Sequence, residues 1–402
     1  MTGPEMAVKE ERERSALSVK SWRTLVIVLP VFLISLLLFS HNLQSLNSYR
    51  GDNSLRLFSL IITYLFMILM FIMLVHSGRV DKYRAILFFT YAVCFVISFI
   101  PGLIEARGSN TFTSADMIQG KIPFCHIVIP MTLVPAVLKQ TIIFPGSILE
   151  GFASISSMLV IWLGTTLALG RGFCSWGCFY GGIEDGFSRL LKKPLVKKLN
   201  PKWRYLSFAV LLGVVLTSLA TLSPTYCTWL CPFKAVTEYE KISTFLVMIQ
   251  TVIFVLLFLG SVIVLPILTQ KRTQCSLWCP FGAMQSLMNK INAFEVRINK
   301  DKCIHCKVCI GVCPTFSLDE DDLKTGKANL TCTRCGKCIS HCPKGAISLE
   351  IKGTPTSCQQ ERRVRLLFLY PAFMLLFIMG SGMIQNAIYR ILLLLTTGKL
   401  IH

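Results

Sequence analysis

The chain has 402 residues, of which 53% are hydrophobic and only 15% are charged. A soluble protein carries roughly 25% charged residues, so this composition excludes the ordinary water-soluble class. The net charge of +20 does not by itself indicate a nucleic-acid partner, because membrane proteins collect Lys and Arg on their cytoplasmic side. We therefore expect contact with membrane lipid and none with nucleic acid.

Long apolar runs predict a polytopic α-helical membrane protein. A membrane span needs about 20 mostly apolar residues, and seven stretches reach or approach that length. They are Thr24–Phe39, Leu57–Val75, Ala85–Ile104, Ile148–Leu169, Tyr205–Leu222, Thr244–Leu268 and Leu366–Ile384. A polar segment precedes the first stretch and no small-residue cleavage site follows it, so we expect it to stay as an anchor.

These runs divide the chain into four regions. Residues 1–23 form a tail, 24–268 a membrane domain with six spans, 269–365 a hydrophilic domain, and 366–402 a last span and tail. A cytoplasmic N-terminus places most of the Lys and Arg on the cytoplasmic side, as membrane topology favours. We expect a multi-pass protein of the inner cell membrane whose hydrophilic domain is cytoplasmic.

The segment after the third span contains Cys125 and His126, in "KIPFCHIVIPMTLVP". Three prolines interrupt this apolar stretch, and proline breaks regular helices. We interpret it as a re-entrant or interfacial segment, whose backbone must be buried in protein or line a cavity at that depth.

Three Cys-x3-Cys pairs follow along the chain. They are Cys174/Cys178 in "GFCSWGCFYGG", Cys227/Cys231 in "TYCTWLCPFK" and Cys275/Cys279 in "TQCSLWCPFGA". Residues four apart on a helix face the same way, so each pair can present two thiolates together. A four-iron cluster needs four ligands, so one pair alone is insufficient.

The predicted spans decide which pairs can meet. One span separates the first pair from the middle pair and another separates the middle pair from the third, so the first and third pairs share a side. We predict one iron–sulfur centre there, near the cytoplasmic face. Its four ligands, called the shared site below, are Cys174, Cys178, Cys275 and Cys279.

The middle pair then lies on the outer side, where the loop that carries Cys125 can reach it. We predict a second centre, called the middle-pair site below, formed by Cys125, Cys227 and Cys231, with His126 or water as a fourth ligand. The alternative is that cysteines of this region are buried small residues or disulfides. That is our expectation for Cys94 and Cys358.

The hydrophilic domain contains a duplicated cysteine run. "CIHCKVCIGVCP" and "CTRCGKCISHCP" are offset by 29 residues throughout. This is the bacterial iron–sulfur pattern, in which the fourth cysteine of each run serves the other cluster. The cluster-one set is therefore Cys303, Cys306, Cys309 and Cys342, and the cluster-two set is Cys332, Cys335, Cys338 and Cys313.

The surroundings of these runs indicate a small α+β ferredoxin domain of the two-cluster bacterial type. "KGAISLE" after Pro343 predicts a turn and a short strand. A structural zinc site is the alternative, but zinc sites favour isolated Cys-x2-Cys pairs separated by a longer gap. We expect two 4Fe–4S clusters bound by the eight cysteines.

The sequence resembles the NapH/NosR-type membrane polyferredoxins, which combine membrane spans with Cys-x3-Cys pairs. The resemblance is strongest in the segments "CSLWCPFGAMQSL" and "INKDKCIHCKVC". The resemblance covers about residues 170–350. It implies electron transfer in anaerobic respiration, between the quinone pool or a cytoplasmic donor and a partner, or support of a reductase's maturation. The sequence departs from the family pattern in Phe179, which replaces the usual Pro, in the added middle pair and in residues 1–150.

We therefore expect a membrane-bound iron–sulfur electron-transfer subunit of an oxidoreductase complex. It would hold one or two further iron–sulfur centres at the membrane faces, and its redox partners would be quinone, a soluble carrier or partner subunits. No acid or base in the sequence indicates a catalytic role. The alternatives are a quinol-oxidising subunit confined to the inner face, an assembly or metal-reducing factor for a respiratory enzyme, and a thiol–disulfide relay.

Overall fold

The computed structural model describes residues 26–37, 53–77, 79–105, 125–140, 155–196, 199–237, 244–355 and 361–398. The predicted tail 1–23 and Cys358 lie outside these residues.

Helices dominate the described part of the chain. The helices before residue 240 are α1 Val26–Leu37, α2 Asn53–His76, α3 Val80–Glu105, α4 Ile129–Lys139, α5 Ile155–Ala168, α6 Phe173–Trp176, α7 Phe179–Phe187, α8 Leu206–Thr221, α9 Thr225–Trp229 and α10 Lys234–Thr237. The later elements are α11 Phe245–Leu257, α12 Leu265–Thr269, α13 Pro280–Met288, β1 Phe294–Ile298, α14 Val308–Val312, α15 Glu320–Thr325, α16 Lys337–Ser340, β2 Ile347–Ile351 and α17 Glu361–Thr397. Single 3₁₀ turns precede α4, α6 and α8, and π-helical turns join α11 to α12 and precede α13.

Four helical segments are long and apolar enough to cross a membrane. They are Ser54–His76, Pro201–Thr221, Phe245–Thr269 and Glu361–Thr397. Each coincides with one of the seven predicted spans. None of the side chains of α11 is buried, as expected for a helix that faces lipid, since lipid tails solvate apolar side chains.

Helix α17 packs along α2 and α3, and α3 in turn packs against α7. The rings of Phe71 and Phe373 lie 4.6 Å apart at the first of these contacts. A Cβ atom at Gly182 would come within 2.6 Å of the Phe88 carbonyl oxygen. Only glycine therefore allows α7, which follows the first cysteine pair, to approach α3 this closely.

The hydrophilic domain is a small α+β module around one antiparallel strand pair. Phe294 lies opposite Ile351, and Ile298 lies opposite Ile347. Strand β2 is the strand predicted after Pro343, whereas β1 was not anticipated. The strands carry the inward side chains Val296 and Leu349 of a core that also holds cysteines of both runs.

Polar contacts fix this module to the ends of the membrane helices. Arg204, just before α8, donates to Asp319 and Asp322 at 2.8 and 3.2 Å. Lys271, just after α12, donates to the Cys313 carbonyl and to two carbonyls at the C-terminal end of α14. A cation at this end of a helix interacts favourably with the helix dipole. The Arg334 guanidinium donates to the Leu169 carbonyl at 2.8 Å. The two cysteine runs are therefore held against the segments that carry the first and third pairs.

Candidate iron–sulfur centres

The cluster-one set comes together at one end of the ferredoxin module. The Cys309 thiol interacts electrostatically with Cys303, Cys306 and Cys342. These four cysteines line one cavity. The crossing of Cys342 from the second run to the first therefore agrees with the grouping that the sequence predicts. Cys306 is exposed, so this cavity reaches the protein surface.

The cluster-two set forms a second group beside the first. The Cys338 thiol interacts electrostatically with Cys332, Cys335 and Cys313, and also with Cys309 of the cluster-one set. A second cavity is lined by Cys313 and by the first three cysteines of the second run. The two sets are therefore neighbours, and each takes its fourth cysteine from the other run.

The 29-residue duplication is visible in the backbone. His305 and its equivalent Arg334 both have positive φ, at 52° and 51°, and so do Lys307 and Gly336, at 58° and 79°. Such left-handed residues turn the chain sharply between closely spaced cysteines. Ser317 N–H donates to Cys313 Sγ at 3.3 Å, and the equivalent residue, Ala346, donates to Cys342 Sγ at 3.2 Å.

The chemistry of these donors fits a bound iron–sulfur cluster. Burial raises the pKa of the Cys309 thiol to about 11 and that of Cys332 to about 12. Thiols with such pKa values stay protonated near neutral pH unless a positive centre takes the place of the proton, and iron does so. Among the described residues, no three His, Cys, Asp or Glu converge as ligands of one metal ion would.

The four cysteines of the shared site are brought together as the spans predicted. The Cys279 thiol interacts electrostatically with Cys174, and the Cys275 thiol with Cys178 and Cys279. Cys178 and Cys279 are both extended, with φ of −89° and −76°, and each directly precedes a helix. All four lie within buried or half-buried surroundings next to the ferredoxin module.

Sequence reasoning missed two arginines at the shared site. Arg171 and Arg272 are 1% and 0% exposed, and each stands three residues before the first cysteine of a pair. Arg171 donates to the Cys275 carbonyl at 3.0 Å, and Arg272 donates to the Cys174 carbonyl and to Cys275 Sγ, the latter at 3.4 Å. The repeated Arg-x2-Cys-x3-Cys spacing was the available signal.

The acids beside the first pair have structural partners. Glu184 accepts hydrogen bonds from the backbone N–H groups of Gln274 and Cys275, at 2.6 and 3.0 Å. Asp185 is paired with Arg84 and Arg189. These carboxylates therefore tie the first pair to the third pair and to helix α3.

Two of the three cysteines predicted for the middle-pair site, Cys125 and Cys231, lie together, and the chain reaches them by turning back after α8. Helix α8 ends at Leu222 in a left-handed turn, and the Thr225 hydroxyl then bonds the hydroxyls of Thr217 and Ser218 at 2.8 and 3.0 Å. The chain thus runs back along the end of α8. Cys231 interacts electrostatically with Cys125, which is the grouping that the sequence predicted.

His126 does not lie where it was expected. Its Nε2 atom is 3.2 Å from Cys178 Sγ, and its ring packs against Phe173 and Phe281 at centroid distances of 5.0 Å. The geometry therefore places this side chain against the shared site, not in the position of a fourth ligand to the middle pair. A 3₁₀ turn, His126–Val128, begins directly after Cys125. The Cys125 side chain therefore points to the middle-pair site and the His126 side chain to the shared site.

The two membrane-embedded sites adjoin each other. Tyr180 interacts electrostatically with Cys125, Cys231 and Cys178. The Tyr226 hydroxyl, beside Cys227, accepts a hydrogen bond from Gln274 at 2.7 Å. This differs from the expected placement at opposite membrane faces, because the span count did not include the return of the chain after α8.

Comparison with known proteins matches two families of 4Fe-4S domains to parts of this chain. The family described as a 4Fe-4S dicluster domain matches residues 295–343. A family described as a 4Fe-4S binding domain matches three times, at residues 151–198, 203–243 and 251–299. Each of these three segments contains one Cys-x3-Cys pair.

Several characterised or named proteins are similar to parts of the chain. YccM of Escherichia coli (strain K12), named an electron transport protein, is 25% identical over 252 residues, which are 60% of this chain and 65% of YccM. Polyferredoxin protein MvhB of Methanothermobacter thermautotrophicus is 39% identical over 56 residues, or 13% of each chain. A ferredoxin of Thermococcus litoralis is 38% identical over 58 residues, or 14% of this chain and 98% of the ferredoxin. No solved structure matches the chain.

The duplicated cysteine runs, their grouping in space and these matches define an iron–sulfur electron-transport protein with 4Fe–4S-binding domains. Within that class, the matches support a relationship with membrane-type polyferredoxins. The matched part is less than two thirds of the length of YccM.

Proposed function

We propose that this protein is a membrane-bound electron-transfer subunit that relays electrons between a cytoplasmic carrier or the quinone pool and a partner redox protein in anaerobic respiration. The observation that carries the proposal is the continuity of the four cysteine groups. They follow one another through side-chain and backbone contacts, from a group with one exposed cysteine to groups whose cysteines are buried or half-buried.

The contacts between successive groups are short. Cys338 adjoins Cys309, which joins the cluster-two set to the cluster-one set. Pro314, next to Cys313, accepts a hydrogen bond from Arg272 N–H at 2.7 Å, and Arg272 itself touches Cys275 of the shared site. These contacts hold the successive groups at fixed separations, which a relay requires.

The last contact in the series joins the shared site to the middle-pair site. His126 touches Cys178 and directly follows Cys125 in the chain. The Tyr180 ring stacks on Phe233, two residues after Cys231. Packed aromatic side chains exclude water here and keep the second site next to the first.

The cysteine groups have distinct roles in this proposal. A 4Fe–4S cluster held by each complete set would supply single-electron storage at that position. Cys306 is exposed whereas Cys335 and Cys338 are buried, so the cluster-one set is where a soluble carrier would exchange electrons. The buried sets keep water away and define the inner part of the path.

We also place the protein in the inner cell membrane with seven spans and a cytoplasmic ferredoxin module. The excess of Lys and Arg on that side supports this orientation. The shared site adjoins the ferredoxin module through Arg272, which supports its position near the same face.

Iron content tests the proposal. The full-length protein, purified anaerobically in detergent, should contain two ferredoxin clusters and further iron, and Cys174→Ala should lower the iron content by one cluster. Cys94→Ala is the matched control, because Cys94 is a buried cysteine packed among hydrophobic side chains of α3. Equal iron content in the parent and in Cys174→Ala, with a disulfide detected between paired cysteines, would instead favour a thiol–disulfide relay.

A further inference from the structure

The shared site is built from two copies of one pattern. Arg171-x2-Cys174-x3-Cys178-x2-Gly181 recurs as Arg272-x2-Cys275-x3-Cys279-x2-Gly282. The middle pair lacks it, since Pro224 and Lys234 occupy the Arg and Gly positions around Cys227/Cys231. Both arginines therefore accompany the two pairs that combine into one four-cysteine group.

The two arginines make reciprocal contacts. Arg171 donates from the first copy to the carbonyl of Cys275, and Arg272 donates from the second copy to the carbonyl of Cys174. Each guanidinium thus reaches the first cysteine of the opposite pair. In this way the arginines hold the two pairs together.

Both guanidiniums also have unused donors. Arg171 Nε and Nη1 and Arg272 Nε are buried and have no hydrogen-bond partner in the described part of the chain. Arg171 interacts electrostatically with Cys174, Cys275 and Cys279. An N–H donor of a buried guanidinium is costly when it has no hydrogen-bond acceptor. These unpaired donors therefore indicate that an anionic group is bound between the pairs.

Two acids also face this site. Glu184 and Asp185 both interact electrostatically with Arg272. Asp185 is already paired with Arg84 and Arg189, and Glu184 is engaged by two backbone N–H groups. Arg171 therefore faces cysteines without a carboxylate among its electrostatic partners, whereas Arg272 faces both the two acids and the thiols of Cys174 and Cys275.

We infer that Arg171 and Arg272 are positioning residues that raise the reduction potential of the cluster bound in the shared site. This inference rests on the proposed function. Reduction adds one negative charge to a cluster, and a buried cation nearby stabilises the reduced form because the local dielectric constant is low. Net charge and hydrogen bonds to the sulfurs are among the factors that set such potentials.

A redox titration of the full-length protein, followed by electron paramagnetic resonance, tests the inference. The signal lost in Cys174→Ala identifies the shared site. In Arg171→Gln and Arg272→Gln, the equilibrium constant for its reduction should fall at least tenfold, which is about 59 mV for one electron. Arg171→Lys and Arg272→Lys keep the charge and should retain most of the parental potential.

Arg297→Gln is the matched control, because Arg297 is paired with Glu295 and Glu350 within the ferredoxin module. The ferredoxin signals should keep their midpoint potentials in the Gln variants, and the shared-site signal should keep its midpoint potential in this control. Parental midpoints in both Gln variants would overturn the inference, and so would equal shifts or equal loss of iron in the Gln and Lys variants. Absence of any signal change in Cys174→Ala would instead refute the proposed function, and the inference with it.

Discussion

The rings of Tyr180 and Phe233 stack with their centroids 3.7 Å apart and their planes inclined by 25°. Tyr180 follows Cys178 by two residues, and Phe233 follows Cys231 by two residues. The segments after the first and middle pairs are therefore in direct contact. The middle-pair site consequently lies beside the shared site, without the thickness of a bilayer between them.

The first prediction concerns the middle-pair site. Cys227→Ala should lower the iron content by one centre and leave the ferredoxin signals intact, because thiolate ligands act locally. Cys125→Ala should do the same, and the double variant should lose no more iron than either single variant, since both act on one site. Iron analysis and electron paramagnetic resonance measure these effects.

Two results would contradict this assignment. Unchanged iron content in Cys227→Ala would make the middle pair structural. Loss of the centre in Cys227→Ala but not in Cys125→Ala would show that the segment around Cys125 supplies no ligand. Cys94→Ala is again the matched control, because Cys94 is buried in the hydrophobic cluster on α3.

The second prediction concerns the crossing of the fourth cysteines. Cys342 is part of the second run in the sequence, but in the structure it lines the same cavity as Cys303, Cys306 and Cys309 of the first run. Cys342→Ala should therefore disturb the same spectroscopic signal as Cys306→Ala, whereas Cys335→Ala should disturb the other. A Cys342→Ala spectrum that matches that of Cys335→Ala would mean that each run binds its own cluster without exchange.

Much of the ferredoxin module followed from the sequence because its ligands are close together along the chain. The 29-residue offset predicts both cavities and the exchange of Cys313 and Cys342. Strand β1, "FEVRI", was missed although Phe294, Val296 and Ile298 alternate with charged residues. Five residues are too few for such a period to stand out without the partner strand.

The membrane part followed less completely. Counting spans joined the first and third pairs, but it placed the middle pair a full bilayer away from them, whereas the structure places it beside the first pair. The return at Leu222 depends on local contacts of Thr225 with Thr217 and Ser218, which have no hydrophobic signature. Arg171 was overlooked because an arginine at the end of an apolar run is the usual sign of the cytoplasmic side.

The third prediction uses the glycines of the repeated pattern. A Cβ at Gly181 would collide with the Arg272 guanidinium and the Cys174 carbonyl, and backbone would have to move. At Gly282 the nearest atom, the Cys275 carbonyl oxygen, would be 3.0 Å away. Gly181→Ala should therefore lose the cluster of the shared site, and Gly282→Ala should retain most of it, as iron content would show. Equal retention in both variants would mean that the close approach at Gly181 is not needed to form the site.

The last prediction concerns the attachment of the ferredoxin module to the membrane helices. Arg204 is 4% exposed at its side chain and binds Asp319 and Asp322, which are 19% and 12% exposed. Arg204→Met leaves the buried Asp322 and the half-buried Asp319 without their cation, and breaking a buried ion pair from one side costs on the order of 3 kcal/mol. The module should then detach more easily from the membrane helices. Protease should therefore begin to cleave α15 at a lower temperature in Arg204→Met than in the parent protein.

The Lys307–Glu320 pair is the matched control within the same module. Its side chains are 57% and 64% exposed, and exposed ion pairs contribute little because water screens them. Lys307→Met should therefore leave the protease sensitivity of α15 unchanged in limited proteolysis across a temperature series. If Lys307→Met and Arg204→Met had equal effects, the burial of the Arg204 contacts would not be what holds the module in place. A loss of protease resistance confined to Arg204→Met would identify the contacts of Arg204 with Asp319 and Asp322 as a junction that fixes the cluster-two set against the shared site. The continuity of the four cysteine groups depends on that junction.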